Sequence, residues 1–73
     1  MEVRIMYRIR VGGGNIVEVG YTDGTLEIKF ANDTVYQYYN VPAEVVERFL
    51  QSYSKQEYFE DRIKGIYDYQ RTF

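Results

Sequence analysis

Tyr36 and Tyr38 place two phenolic rings two residues apart. On an extended strand that spacing puts both rings on one face. Paired rings on a sheet are a surface on which the unpaired bases of a single-stranded nucleic acid can stack. Such binding also needs positive charge for the phosphates. The chain carries that charge at its two ends. Residues 1–10 hold Arg4, Arg8 and Arg10 against Glu2, and residues 62–73 hold Arg62, Lys64 and Arg71 against Asp68. Between them, Lys29, Arg48 and Lys55 are outnumbered by nine acidic residues. If the two ends meet in the fold, they form one positive patch on a chain whose net charge is −2. Tyr67 and Tyr69 interleave aromatic rings with the cations of the second end.

Each group also has a plainer reading. Tyr36 and Tyr38 fit core packing with their hydroxyls at the rim, and this reading is preferred, because Lys29 is the only cation near them in the sheet. Arg4, Arg8 and Arg10 fit a solvated strand face as well as phosphate contact, and both readings stay open. They point away from the apolar face, so reversing Arg8 and Arg10 is expected to leave the domain folded. Glu57, Glu60 and Asp61 read as a solvated helix face. General acid–base work needs a cleft and a perturbed pKa, and a hard cation needs more converging oxygens. Gly12-Gly13-Gly14-Asn15 reads as a turn, since the helix, Lys and Ser/Thr of a phosphate loop do not follow it.

Composition excludes whole classes. With no His and no Cys, the chain forms no Cys/His zinc site and no Ser-His or Cys-His nucleophile. No catalytic residue, cofactor or metal is therefore expected. No apolar run reaches 18 residues and no signal-peptide pattern is seen, so neither a membrane span nor export is expected. A small domain without disulfides fits a cytoplasmic location. Its 73 residues suffice for a single domain, residues 1–73, whose small core nine tyrosines and four phenylalanines must enlarge.

The elements that position these residues follow from periodicity. Residues 2–11 alternate strictly, with Val3, Ile5, Tyr7, Ile9 and Val11 on one face, so residues 1–11 are an added N-terminal strand. Residues 16–22 and 25–31 make a hairpin around Asp23-Gly24, a strong type I′ signal. The predicted register sets Thr22 opposite Thr25, Tyr21 opposite Leu26, Val19 opposite Ile28 and Val17 opposite Phe30, with Glu18 beside Lys29. Asn32-Asp33 closes a second hairpin of undecided register. A two-residue loop sets Phe30 opposite Val35 and turns Tyr36 and Tyr38 away from the core. A three-residue loop with a bulge sets Phe30 opposite Tyr36 and buries both rings. Pro42 opens a helix with Val46, Phe49, Leu50 and Tyr53 as its core stripe. Ser54-Lys55-Gln56-Glu57 is a capping box for a second helix, with Phe59 and Ile63 inward and Gly65 at its end. Residues 66–73 are a short strand or an ordered tail. The predicted fold is α+β, a mainly antiparallel sheet of three or four strands with two helices packed on one face.

From Asn15 to about Tyr69 the chain resembles the KTSC domain, a small domain also found at the C-terminus of some lysyl-tRNA synthetases. The matching residues are Asn15-Ile16, Val19-Gly20-Tyr21, Leu26 to Phe30, the central Tyr36-Gln37-Tyr38, Val41-Pro42, Ser54-Lys55, Tyr58-Phe59 and Ile63 to Tyr67. Two departures stand out. Gly13 and Gly14 replace small hydroxyl residues before Asn-Ile, and Gln56 replaces a common glycine after Ser-Lys. The resemblance implies a non-catalytic α+β domain, and the synthetase attachment implies RNA as a partner.

Two functions are expected from these readings. The first is a non-catalytic module binding RNA or another nucleic acid through Arg4, Arg8, Arg10, Arg62, Lys64 and Arg71 beside Tyr36, Tyr38, Tyr67 and Tyr69. The second is a protein-interaction or self-association module that uses the edge of the first strand.

Overall fold

In a computed structural model, which describes residues 8–73, the alternating segments form one antiparallel sheet. Four strands follow one another as a meander: β1 (Arg8–Gly13), β2 (Ile16–Thr22), β3 (Thr25–Phe30) and β4 (Val35–Tyr38). Helices α1 (Ala43–Gln51) and α2 (Lys55–Arg62) come next, and the chain returns as β5 (Tyr69–Arg71) beside β4. The class is α+β as expected, but the sheet has five strands instead of three or four. The fifth is β5. Its three residues are all exposed, so they show no apolar alternation, and backbone pairing to β4 defines the strand.

Of the expected N-terminal strand, Val3, Ile5 and Tyr7 lie outside the described residues. The part described runs further than expected, through Gly12 and Gly13. A register shift between Arg10 and Gly13 admits them to the ladder. The turn narrows to Gly14-Asn15, where Gly14 takes a φ of +63° that favours glycine.

The first hairpin keeps the register its Asp-Gly turn sets. Thr22 faces Thr25, Tyr21 faces Leu26, Val19 faces Ile28 and Glu18 faces Lys29. One position differs. The register shifts between Ile16 and Glu18, so Ile16 and not Val17 faces Phe30. Ile16 is consequently buried and Val17 is half-buried.

The second hairpin takes the expected three-residue loop and turns both rings toward the helices, but its pairing is not the one expected with that loop. Its loop is Ala31-Asn32-Asp33, with the Asp33 N–H donating to the Phe30 carbonyl and the Phe30 N–H to the Thr34 carbonyl, both at 2.9 Å. Asp33 itself takes a φ of +68°, the left-handed residue that a three-residue hairpin loop requires. Ile28 therefore faces Tyr36 and Leu26 faces Tyr38. Both tyrosines stand on the helix side of the sheet.

One apolar cluster joins the layers. Val19, Leu26, Ile28 and Tyr38 of the sheet meet Val46 and Phe49 of α1, Phe59 of α2 and the following Ile63. Phe30 packs on it half-buried, and so does Leu50, which the core stripe had placed inside. The Tyr21 hydroxyl donates to the Val41 carbonyl and the Val41 N–H donates to the Gly24 carbonyl at 2.8 Å. The approach to α1 is thus stitched to the first hairpin. Pro42 sits at the N-cap, one position earlier than expected. The helix ends at Gln51, where the Ser52 hydroxyl donates to the Phe49 carbonyl at 2.6 Å. Tyr53 falls beyond that end and is wholly exposed, so it is no part of the core stripe. The Ser54 hydroxyl accepts the Glu57 N–H as the capping box predicts, and Gly65 follows α2 with a φ of +80°.

Candidate functional site

On the helix side of the sheet, three tyrosines converge. Tyr36 and Tyr38 alternate onto this face from β4, and Tyr69 arrives opposite Tyr38 from β5. Ring centroids lie 6.4 Å apart for Tyr36–Tyr38, 5.8 Å for Tyr36–Tyr69 and 5.6 Å for Tyr38–Tyr69. Phe59 of α2 meets Tyr38 edge-on at 5.5 Å, and Phe30 meets both Phe59 and Tyr36 edge-on. Such offset and edge contacts hold rings in fixed orientation, each adding about 0.5–1.5 kcal/mol to the burial itself.

Exposure grades outward across the three rings. Tyr38 is 4% exposed, Tyr36 is half-buried and Tyr69 is 59% exposed. Burial pushes the Tyr38 hydroxyl pKa up to about 12, with the Tyr36 and Tyr69 phenols adding to the shift. Tyr38 is therefore core, and the outer face of Tyr69 is open to a ligand.

These rings form the sheet wall of an open groove of about 750 Å³. Its other wall comes from Gln56 and Glu60 of α2 and Lys64 just beyond it. Gln56 and Glu60 stand four residues apart on α2 and share one ridge, and Lys64 follows past the helix end at Arg62. Gln56 holds two partners. Its Nε2 donates to Glu60 Oε2 at 2.7 Å, and its Oε1 accepts the Asn15 N–H at 3.3 Å. Asn32 and Thr34 close the end beside the second hairpin, with Asn32 Oδ1 accepting from both the N–H and the hydroxyl of Thr34.

The residues singled out in the sequence divide among different places. Tyr36, Tyr38, Tyr69 and Lys64 line the groove. Arg71 stands opposite Tyr36 on β5, and its Nε donates to the Phe73 carbonyl at 3.0 Å. Arg62 is exposed at the end of α2, and Tyr67 is half-buried against the core. Arg8 and Arg10 lie on β1, at the sheet edge remote from β5, so the basic ends are not neighbours in the sheet. Arg4 lies outside the described residues. Arg8 Nε sits between two carboxylates, 3.4 Å from Glu18 and 3.3 Å from Glu27. Glu18 thus turns to Arg8, and Lys29 turns to Asp33 at 3.9 Å. Gln37 Nε2 extends the network by donating to Glu27 Oε1 at 2.9 Å.

Sequence reasoning did not single out Gln56 or Glu60 as groove residues. The four-residue spacing of Gln56 and Glu60 was available as a signal, but which wall faced their ridge depended on the second hairpin's register. Among the described residues no group of carboxylates is placed to hold a metal ion, and no helix is long and apolar enough to cross a membrane.

Comparison with known proteins bears on the whole arrangement. The sequence matches the KTSC domain over residues 14–67. The structure is similar to the crystal structure of a KTSC domain protein from Yersinia pestis, with a TM-score of 0.88 and 32% identity over 94% of this chain and 100% of that one. No curated protein matches the chain.

Proposed function

The chain belongs to the KTSC domain family, and we propose that it is a non-catalytic module that binds single-stranded nucleic acid in the groove between β4–β5 and α2. The observation that carries this reading is the tyrosine triad. Tyr69 offers an open ring, Tyr36 and Tyr38 brace it from behind, and Lys64 stands on the facing wall. Stacking on an aromatic ring takes any base, and a nearby cation serves the phosphate. RNA is the expected form, as the family's attachment to a synthetase implies.

The test is a titration of the folded chain with short single-stranded RNA at two salt concentrations. Contact with n phosphates makes log affinity fall against log salt with a slope of about −0.7n. Absence of binding at low salt removes this reading.

A second reading rests on β1. It is an outer strand of the sheet, and Ile9 is exposed on it. An exposed strand edge with an apolar residue supports self-association. Sedimentation of the full chain against one starting at Gly12 tests it, and two identical monomers would remove it.

A further inference from the structure

One wall of the groove carries a group that phosphate-binding alone does not explain. Glu60 places a carboxylate opposite the tyrosines. A carboxylate repels phosphate and only accepts hydrogen bonds. Gln56 Nε2 holds Oε2, which fixes the group while Oε1 has no partner among the described residues. The groove therefore combines an open stacking ring, an oriented acceptor pair and, just past the end of α2, the Lys64 ammonium.

We propose that this groove selects guanine among the four bases, a deepening that rests on the nucleic-acid reading above. The base lies on Tyr69 and its N1–H and N2–H donate to the Glu60 carboxylate. The chemistry separates the bases. Guanine presents two adjacent donors on its Watson–Crick edge, one of the edges that unpaired bases offer to proteins. Adenine and cytosine set a ring acceptor beside their amino group, and uracil sets its one N–H between two carbonyls. Each of those three brings an acceptor against the carboxylate. The open groove, of about 750 Å³, leaves room for one base. An arginine side chain has the same flat shape and paired donors, but it would bring a second cation beside Lys64. A nucleotide instead brings a phosphate to that ammonium.

The experiment is a fluorescence-anisotropy titration of the full chain at low salt with labelled UUGU, UUAU and UUUU RNA and with a labelled Gly-Arg-Gly-Gly peptide. UUGU is expected to bind roughly ten-fold more tightly than UUAU, the order of one bidentate base contact. Glu60→Gln, an exposed and nearly isosteric change, is expected to erase that difference while UUAU affinity holds or improves. Equal binding of the three RNAs by the wild type would overturn the guanine selection and leave the nucleic-acid reading standing. A UUGU preference that survives Glu60→Gln would overturn the role of the carboxylate. Failure of every RNA to bind overturns both. Binding of the peptide in place of RNA, lost in Glu60→Gln, overturns guanine in favour of an arginine side chain.

Discussion

The main-chain N–H of Asn15 donates to Oε1 of Gln56 at 3.3 Å, tying the β1–β2 turn to the first turn of α2. The same oxygen lies 3.5 Å from where a Cβ would stand on Gly14. The two departures from the family pattern at Gly14 and Gln56 are therefore one feature, a long amide arriving where the facing side chain is absent. Gln56→Ala is expected to lower the unfolding free energy by about 1 kcal/mol through loss of this bond. Gly14→Ala is expected to cost a similar amount, about 1 kcal/mol, because its φ is positive and not because space is short. Urea midpoints of the two variants check both, and an unchanged midpoint for Gly14→Ala would contradict the backbone argument.

Phe49 is fully buried where both helices and the sheet meet. Phe49→Ala is expected to cost about 3–5 kcal/mol, enough to unfold so small a domain at room temperature. Tyr53→Ala, two residues past the end of α1, is expected to leave the melting temperature unchanged. Paired thermal melts decide this. A Phe49→Ala variant melting within a degree or two of wild type would contradict the packing.

Tyr69 and Tyr38 separate binding from stability. Tyr69→Ala is expected to weaken RNA binding by about 1–3 kcal/mol, the value of one base stacked on an aromatic ring, with a much smaller change in melting. Tyr38→Ala is expected to lower the melting temperature, since that ring is core. The reverse pattern would place the ligand elsewhere.

Tyr38 also predicts the alkaline limit. Its folded pKa is about 12, above the usual tyrosine value of 10.0. Between those values the unfolded chain releases the proton while the folded chain keeps it. Its contribution is thus complete below pH 10 and is lost as pH rises through the folded pKa of about 12. Tyr38→Phe removes this contribution to the slope, so its stability is expected to fall less steeply than wild type across that window. Parallel curves from denaturant titrations at several alkaline pH values would refute the assignment.

Arg8→Glu is expected to destabilise the domain, contrary to what strand alternation alone predicts. It would set a third carboxylate beside Glu18 and Glu27, at a cost of about 1–2 kcal/mol from the lost pair and the new repulsion. Arg10→Gln, at an exposed position and without a new carboxylate opposite Glu18, is the control and is expected to change the midpoint little. Equal urea midpoints for the two variants would contradict it.

What the sequence conveyed followed how tightly local chemistry fixed geometry. Asp23-Gly24 determines its own hairpin, so the pairing from Thr22–Thr25 to Glu18–Lys29 was readable in advance. Ala31-Asn32-Asp33 does not, because nothing in the composition says that Asp33 adopts the left-handed conformation. That one backbone angle sets which face Tyr36 and Tyr38 occupy. Ile16 displaced Val17 from the core through a bulge, and Tyr53 fell outside because the Ser52 hydroxyl ended the helix first. The tyrosines were legible as candidates. Their grouping with Tyr69 and Glu60 was not, since it depends on a three-residue strand arriving from after both helices.

That late-arriving strand sets an order of events. From β1 to β4 every strand pairs with its sequence neighbour, so the meander closes only short loops. Pairing Gln37 with Gln70 is different, because both helices lie between them and must be docked before β5 has a place to land. The expected sequence is meander, then helices, then β5, with unfolding in reverse. Amide hydrogen exchange reads this directly. The Tyr39 N–H, bonded to the Asp68 carbonyl at 2.9 Å, and the Thr72 N–H, bonded to the Val35 carbonyl at 2.8 Å, are expected to exchange before the amides shared by β2 and β3. The tyrosine groove would then be the last part of the molecule to form and the first to open.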